Sequence, residues 1–267
     1  MNTLKLIVLS ASLLFGVLQN AVAADLKEAD EIIRQANLTA YYAGKDGRAE
    51  ARMKITDSQG RTQIRQFTLL RRNQKAGGDQ DIMVFFSRPS DVRDTVFRVI
   101  RYPGSGDDRW LYLPGLDLVK RISAGDQRTS FVGSDFYYED VSGRDPAADK
   151  HELLETTNEF YILESTPAVP KSVEFARYKS WISKITLMPM KVEYTDDRGK
   201  VYRRMENLKV AMIQGHPTSM HGRITDLSRN SSTEMQMRGI KYNIDLPASI
   251  FSERSLRKPP RQWLQSK

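Results

Sequence analysis

The rhythm of apolar and polar positions changes twice along the chain. Leu6 to Leu18 is an almost unbroken apolar run behind Lys5, its polar breaks being Ser10 and Ser12, and Ala21-Val22-Ala23 follows it. Such a run is too short for a stable bilayer span. A positive start and a small-x-small ending mark a signal peptide over residues 1–23, cut after Ala23. The next stretch is helical: Ala29, Ile32, Ile33, Ala36 and Ala40 recur on one face between Leu26 and Tyr41. Asp25 is placed as its N-cap, with Glu28 completing a capping box, and Gly44 and Gly47 end it.

From there the period drops to two. Ala49 to Ile55 alternates, Ser58-Gln-Gly60 turns the chain, and Gln63 to Arg72 returns as a hairpin. Short strands follow at Ile82–Phe86, Thr95–Arg101, Arg109–Leu113 and Leu118–Ile122. Further strands are expected at 136–141, 152–156, 160–165, 175–187, 190–195, 201–210, 217–227 and 234–242. Asp196-Asp197-Arg198-Gly199 is a hairpin turn. Residues 247–267 are rich in Pro and Arg and are expected to pack along the outside or fray. One helix followed by roughly ten or more hairpin-linked strands reads as a single domain over residues 24–267. The fold class is mainly β with α: an antiparallel sheet curled around a helix, with an apolar cleft between them.

Composition narrows the function. No cysteine occurs in the 267 residues, which excludes thiol catalysis, cysteine metal sites and a lipidated N-terminal cysteine. A formal net charge of +8 in an exported protein points to anionic head groups or acidic partners rather than nucleic acid, or to solubility alone.

Catalytic candidates are thin. Three histidines, His151, His216 and His221, show no metal-ligand spacing, since His216 and His221 fall on opposite faces of one strand. No G-x-S-x-G elbow is present. Asp107-Asp108, Glu139-Asp140 and Asp196-Asp197 are adjacent pairs, poorly placed to share a substrate. The aromatic pattern is richer: Trp110 and Tyr112 share one strand face, as do Phe136 and Tyr138, with Phe131 just before and Trp181, Tyr194 and Tyr202 later. Met188, Met190, Met205, Met212, Met220, Met235 and Met237 add flexible thioether chains. Both sets suit an ordinary core, and both suit a surface that repacks around acyl groups.

Trp110-Leu-Tyr112-Leu-Pro114 resembles the W-x-Y-x-P strand of LolA-type periplasmic lipoprotein carriers. Phe131-Val-Gly133-Ser134-Asp135-Phe136-Tyr-Tyr138-Glu-Asp140 resembles more specifically the LolA-like branch of outer-membrane lipoprotein-sorting proteins. Trp181-Ile182, Leu187 to Tyr194 and Asp197 to Lys200 fit the same branch. The resemblance implies an unclosed antiparallel half-barrel under an N-terminal helix and short lid helices, in a Gram-negative-type periplasm. It implies no catalytic residues and no cofactor. It implies a carrier or chaperone whose hydrophobic cavity takes a lipid or the acyl chains of a lipoprotein for transfer toward the outer membrane. The alternative is a non-enzymatic accessory module of an inner-membrane RND-type exporter. Expected partners are lipid or lipoprotein acyl chains and a membrane exporter or outer-membrane receptor, with no nucleic acid and no stable membrane span after cleavage. The cavity wall is expected to include Phe97, Val99, Trp110, Tyr112, Phe136 and Tyr138, the inward face of each strand being open to a one-residue register change.

Overall fold

A computed structural model describes residues 25–265. The expected signal peptide lies outside the described residues. Helix α1 (Ala29–Tyr41) comes first. Six strands follow as a meander: β1 (Asp46–Thr56), β2 (Thr62–Asn73), β3 (Gln80–Arg88), β4 (Val96–Arg101), β5 (Asp108–Leu113) and β6 (Leu118–Ile122). A crossing segment carries the short helix α2 (Tyr138–Ser142). A second meander then runs through β7 (Asp149–Thr156), β8 (Phe160–Pro167), β9 (Arg177–Ser183), β10 (Pro189–Thr195), β11 (Val201–Ile213), β12 (His216–Asp226) and β13 (Ser231–Tyr242). The chain ends in two one-turn helices, α3 (Arg254–Arg257) and α4 (Arg261–Leu264).

All thirteen strands form one antiparallel sheet, ordered β6-β5-β4-β3-β2-β1-β13-β12-β11-β10-β9-β8-β7. The last strand returns to the first, so two meanders become two wings of one sheet that does not close into a barrel. The expected half-barrel is the fold observed. Register carries a single inner face across both wings: Ala51 lies opposite Phe67 on one side and Met237 on the other. Val84 lies opposite Phe97, and Phe97 opposite Leu111. Alternation along each strand sends the intervening side chains outward.

Three elements cover this sheet. Helix α1 buries Ile32 and Ala36 against Tyr161, Leu163 and Ile182 of the second wing. The segment from 123 to 148 lies over the inner face of the first wing. The C-terminal tail covers that wing's outer face, where Leu246, Ile250, Phe251 and Leu256 pack on Leu70, Met83, Phe85 and Val96. The tail therefore packs along the outside rather than fraying. Arg98 Nε donates to Phe251 O at 2.8 Å and Arg48 Nε to Trp263 O at 2.8 Å, tying it down.

Two local expectations are corrected. Helix α1 begins at Ala29, because Asp25 is engaged elsewhere: its carboxylate meets Lys184 Nζ at 2.7 Å instead of capping the helix. Residues 136–141 are not a strand. The Asp140 carboxylate accepts the Tyr137 N–H at 2.6 Å, a capping contact that starts α2 and overrides the strand-like alternation of Phe136 and Tyr138.

Candidate functional site

The inner face of the first wing is filled by the protein's own rings. Phe131 projects from the crossing segment into Phe86 at 5.6 Å, Phe97 at 5.3 Å and Tyr138 at 5.6 Å, centroid to centroid. Phe67 stacks on Phe86 at 5.1 Å. The loop that presents Phe131 turns sharply, with Val132 and Gly133 both at positive φ, and Phe131 N–H donates to Phe136 O at 2.7 Å. Glycine suits the second of these positions because a φ of 78° is strained for other residues.

The rest of the F-x-G-S-D-F-x-Y-E-D segment is a clasp onto the second wing. Asp135 accepts hydroxyl bonds from Ser231 at 2.6 Å and Thr233 at 2.8 Å, both on β13. Asp140 pairs with Arg203 of β11 at 2.5 Å, and that guanidinium lies 4.1 Å from the Tyr137 ring. Glu139 is held by Arg128 and by Arg144, the latter at 3.0 Å, and Arg144 continues to Asp149 at 2.7 Å. On the other side Arg109 bonds Asp107 at 2.7 Å. Burial raises the cost of the Glu174 carboxylate, yet its bond from Arg128 outweighs that and leaves it below the usual carboxylate range. Asp135 thus ties the crossing segment to β13, while Glu139 braces Arg128 and Arg144 within that segment.

Beside the ring-filled half, the inner face is hollow. A cavity of about 300 Å³ lies between β1, β2 and β10–β13 as its floor and the end of α1 with α2 as its roof. This is the lower end of ligand-pocket size. Room comes from small residues: Gly47 and Ala49 on β1 and Gly222 on β12 all border it. Its apolar wall is built largely from Met188, Met205, Met235 and Met237, with Ile224 and Leu69. The sheet parts beside it. Pairing of β12 with β13 runs from Asp226↔Ser231 to His221↔Gln236 and stops, while β13 stays on β1 as far as Tyr242↔Gly47. Pro217, Thr218 and Ser219 then border the cavity from one side of the gap, and Met237, Ile240 and Tyr242 from the other. The far end of the gap is bridged by Gln214, whose amide exchanges two hydrogen bonds with the Tyr242 backbone, at 2.7 and 3.2 Å. Thr218 Oγ1 and Tyr242 OH add a contact of 2.9 Å.

The six residues expected in the cavity wall divide among three places. Phe136 borders the cavity. Phe97, Val99 and Tyr138 share the inner face but belong to the ring-filled core. Trp110 and Tyr112 lie on the outer face beneath the C-terminal tail. Arg98 lies opposite Trp110 and Phe97 opposite Leu111, so Phe97 and Trp110 cannot face the same side. The four cavity methionines stand out in the sequence by frequency alone, and their alternation at 235 and 237 puts two on one face. The histidines do not converge: His221 contacts Glu234 at 3.0 Å, His151 meets Ser165 at 2.7 Å, and His216 packs edgewise on Tyr242.

No helix of the described residues is long and apolar enough to cross a membrane. No protein of curated function matches the chain. Among solved structures, a DUF1329 family protein from Desulfovibrio piger is 28% identical with a TM-score of 0.77, the match covering 85% of this chain and 96% of that one. A putative outer membrane lipoprotein-sorting protein domain from Vibrio parahaemolyticus is 25% identical with a TM-score of 0.77, covering 86% and 98%. A LolA superfamily protein from Nitrosomonas europaea shares the fold at 18% identity and a TM-score of 0.64, covering 86% and 99%. Residues 78–258, more than half of the chain, match the model of a family described as an uncharacterized protein. The chain belongs to that family, and its structural neighbours are DUF1329 family, outer membrane lipoprotein-sorting domain and LolA superfamily proteins, whose fold it shares.

Proposed function

We propose that this protein is a periplasmic carrier, exported by a signal peptide cut after Ala23, that holds a lipid or the acyl chains of a lipoprotein without bond chemistry. The observation that carries this reading is the methionine-lined cavity of about 300 Å³ under α1 and α2. Apolar burial supplies affinity at about 0.8 kcal/mol per methylene, so one chain provides most of the binding energy. Thioether side chains adapt to chains of different length and branching at little cost in strain. The parted strands β12 and β13 offer a route by which a chain enters from the side, because no ladder hydrogen bonds have to break there, only the side-chain bonds of Gln214 and Thr218 to Tyr242. Cargo then moves toward the outer membrane, released to a receptor that competes for it.

Native mass spectrometry with lipid extraction, on protein purified from the periplasm without detergent, tests the reading. A co-purifying phospholipid or acylated peptide is expected. A clean apo mass, together with no uptake of offered lipid, would sink the carrier reading and favour a docking module of an inner-membrane exporter.

A further inference from the structure

Among the described residues, buried cations follow a rule with two exceptions, and one exception borders the cavity. Arg109, Arg128, Arg144 and Arg203 each bond at least one carboxylate. Arg71 and Arg101 are as deeply buried, 9% and 1% exposed, and neither has a carboxylate ion-pair partner among the described residues. Arg71 borders the cavity at the Gly47 end. Its bonds go to the neutral Asn73 side chain at 2.7 Å and to the Ala43 carbonyl. Asp46 makes no bond to it and acts on it only at a distance: that carboxylate accepts the N–H groups of Ile244 at 2.8 Å and Leu246 at 3.0 Å. Arg101 stands opposite Gln80, which also borders the cavity. It makes one long bond to Asn37 at 3.4 Å, leaves one terminal nitrogen without a partner, and lies over the rings of Tyr41 and Tyr42.

A buried guanidinium without a counter-charge is costly, and ring faces offset only part of the cost. Burial draws the Arg71 guanidinium down to about 10, with Tyr242 and Asp46 acting in the opposite direction, so it remains a cation at neutral pH. With no carboxylate bonded to it among the described residues, this guanidinium is free to pair with an anion from outside the chain. The geometry points to a site for an anionic single-chain amphiphile, its carboxylate or phosphate bonded by Arg71 at the Gly47 end and its alkyl chain laid along Met235 and Met237. The size agrees: about 300 Å³ lies at the lower end of ligand-pocket volumes, which suits a slender ligand. This inference rests on the carrier reading and sharpens it, because it separates charged amphiphiles from neutral acyl esters.

The test is calorimetric titration of protein purified from the periplasm and freed of lipid. Dodecanoate and dodecanol serve as probes of equal chain length. Dodecanoate is expected to bind about tenfold more tightly, the worth of one charged hydrogen-bonded contact. In Arg71→Met that preference collapses while dodecanol binding stays unchanged, and Arg71→Lys restores most of it. Should Arg71→Met fail to fold by circular dichroism, Arg71→Lys and Arg101→Met decide, with a partial loss of preference expected in both. Equal binding of the two probes to the wild-type protein would overturn the anion site and leave the carrier reading standing. Binding of neither probe would overturn both. Inorganic phosphate competing as well as dodecanoate would show a free-anion site and overturn the amphiphile.

Discussion

The two halves of the inner face solve the same geometric problem in opposite ways. A curled sheet leaves a trough that must be filled. In the first wing it is filled permanently: Phe67, Phe86, Phe97, Phe131 and Tyr138 interlock with ring centroids 5.1–6.5 Å apart. Toward the second wing the trough is floored by glycine and alanine and walled by methionine, and it stays hollow. Stiff rings with two side-chain torsions define one arrangement, whereas unbranched thioethers tolerate many. Rigidity and adaptability are thus segregated on one continuous surface. The F-x-G-S-D-F-x-Y-E-D segment sits at the boundary, supplying Phe131 and Tyr138 to the filled half and Phe136 to the hollow one.

The largest effect expected from breaking this division is at the plug. Phe131→Ala removes the ring that four others contact, and the site cannot collapse because three of them, Phe67, Phe86 and Phe97, are anchored on strands. A loss of about 4 kcal/mol in unfolding free energy is expected in urea titration. A loss below about 1 kcal/mol would mean that the filled half is as plastic as the hollow one, and the contrast would fail.

A second substitution sharpens the contrast from the other side. Ala49 borders the cavity, so Ala49→Phe puts a ring into existing space rather than into a packed core. Stability is expected to change by no more than about 1 kcal/mol. Lipid uptake, followed by native mass spectrometry, is expected to vanish. Normal uptake by a folded Ala49→Phe protein would place the ligand elsewhere.

Much of this architecture is legible in the residues, and the exceptions have physical causes. Alternation along β1 to β5 gives the strands, and the Asp196 to Gly199 turn gives the β10–β11 hairpin. Which face looks inward is not legible, because Trp110-Leu111-Tyr112 is apolar on both sides and both sides are covered, one by the crossing segment and one by the tail. The large aromatics draw attention, yet size marks the plug and smallness marks the hollow: Gly47, Ala49 and Gly222 carry no signal of a cavity until the register brings them beside the methionines. The unpaired Arg71 is equally silent in a chain with 41 lysines and arginines, since only tertiary burial distinguishes it.

The smallest expected effect concerns the ties that hold the boundary in place. Glu174 bonds Arg128 at 2.7 Å and accepts the Tyr202 hydroxyl at 2.9 Å. Its pKa lies below the ordinary value in the folded state. Between the folded and unfolded values the unfolded chain binds more protons, so stability rises with pH through that window. The contribution is fully present above the ordinary carboxylate range and is lost as pH falls through the depressed folded value. Glu174 is partly exposed, so solvent screens the pair and the effect is modest. The midpoint of acid unfolding is expected to move to slightly higher pH in Glu174→Gln, with the plateau near neutral pH lowered by a small amount. An acid transition unchanged by Glu174→Gln would remove the Glu174–Arg128 pair from the acid response of the boundary.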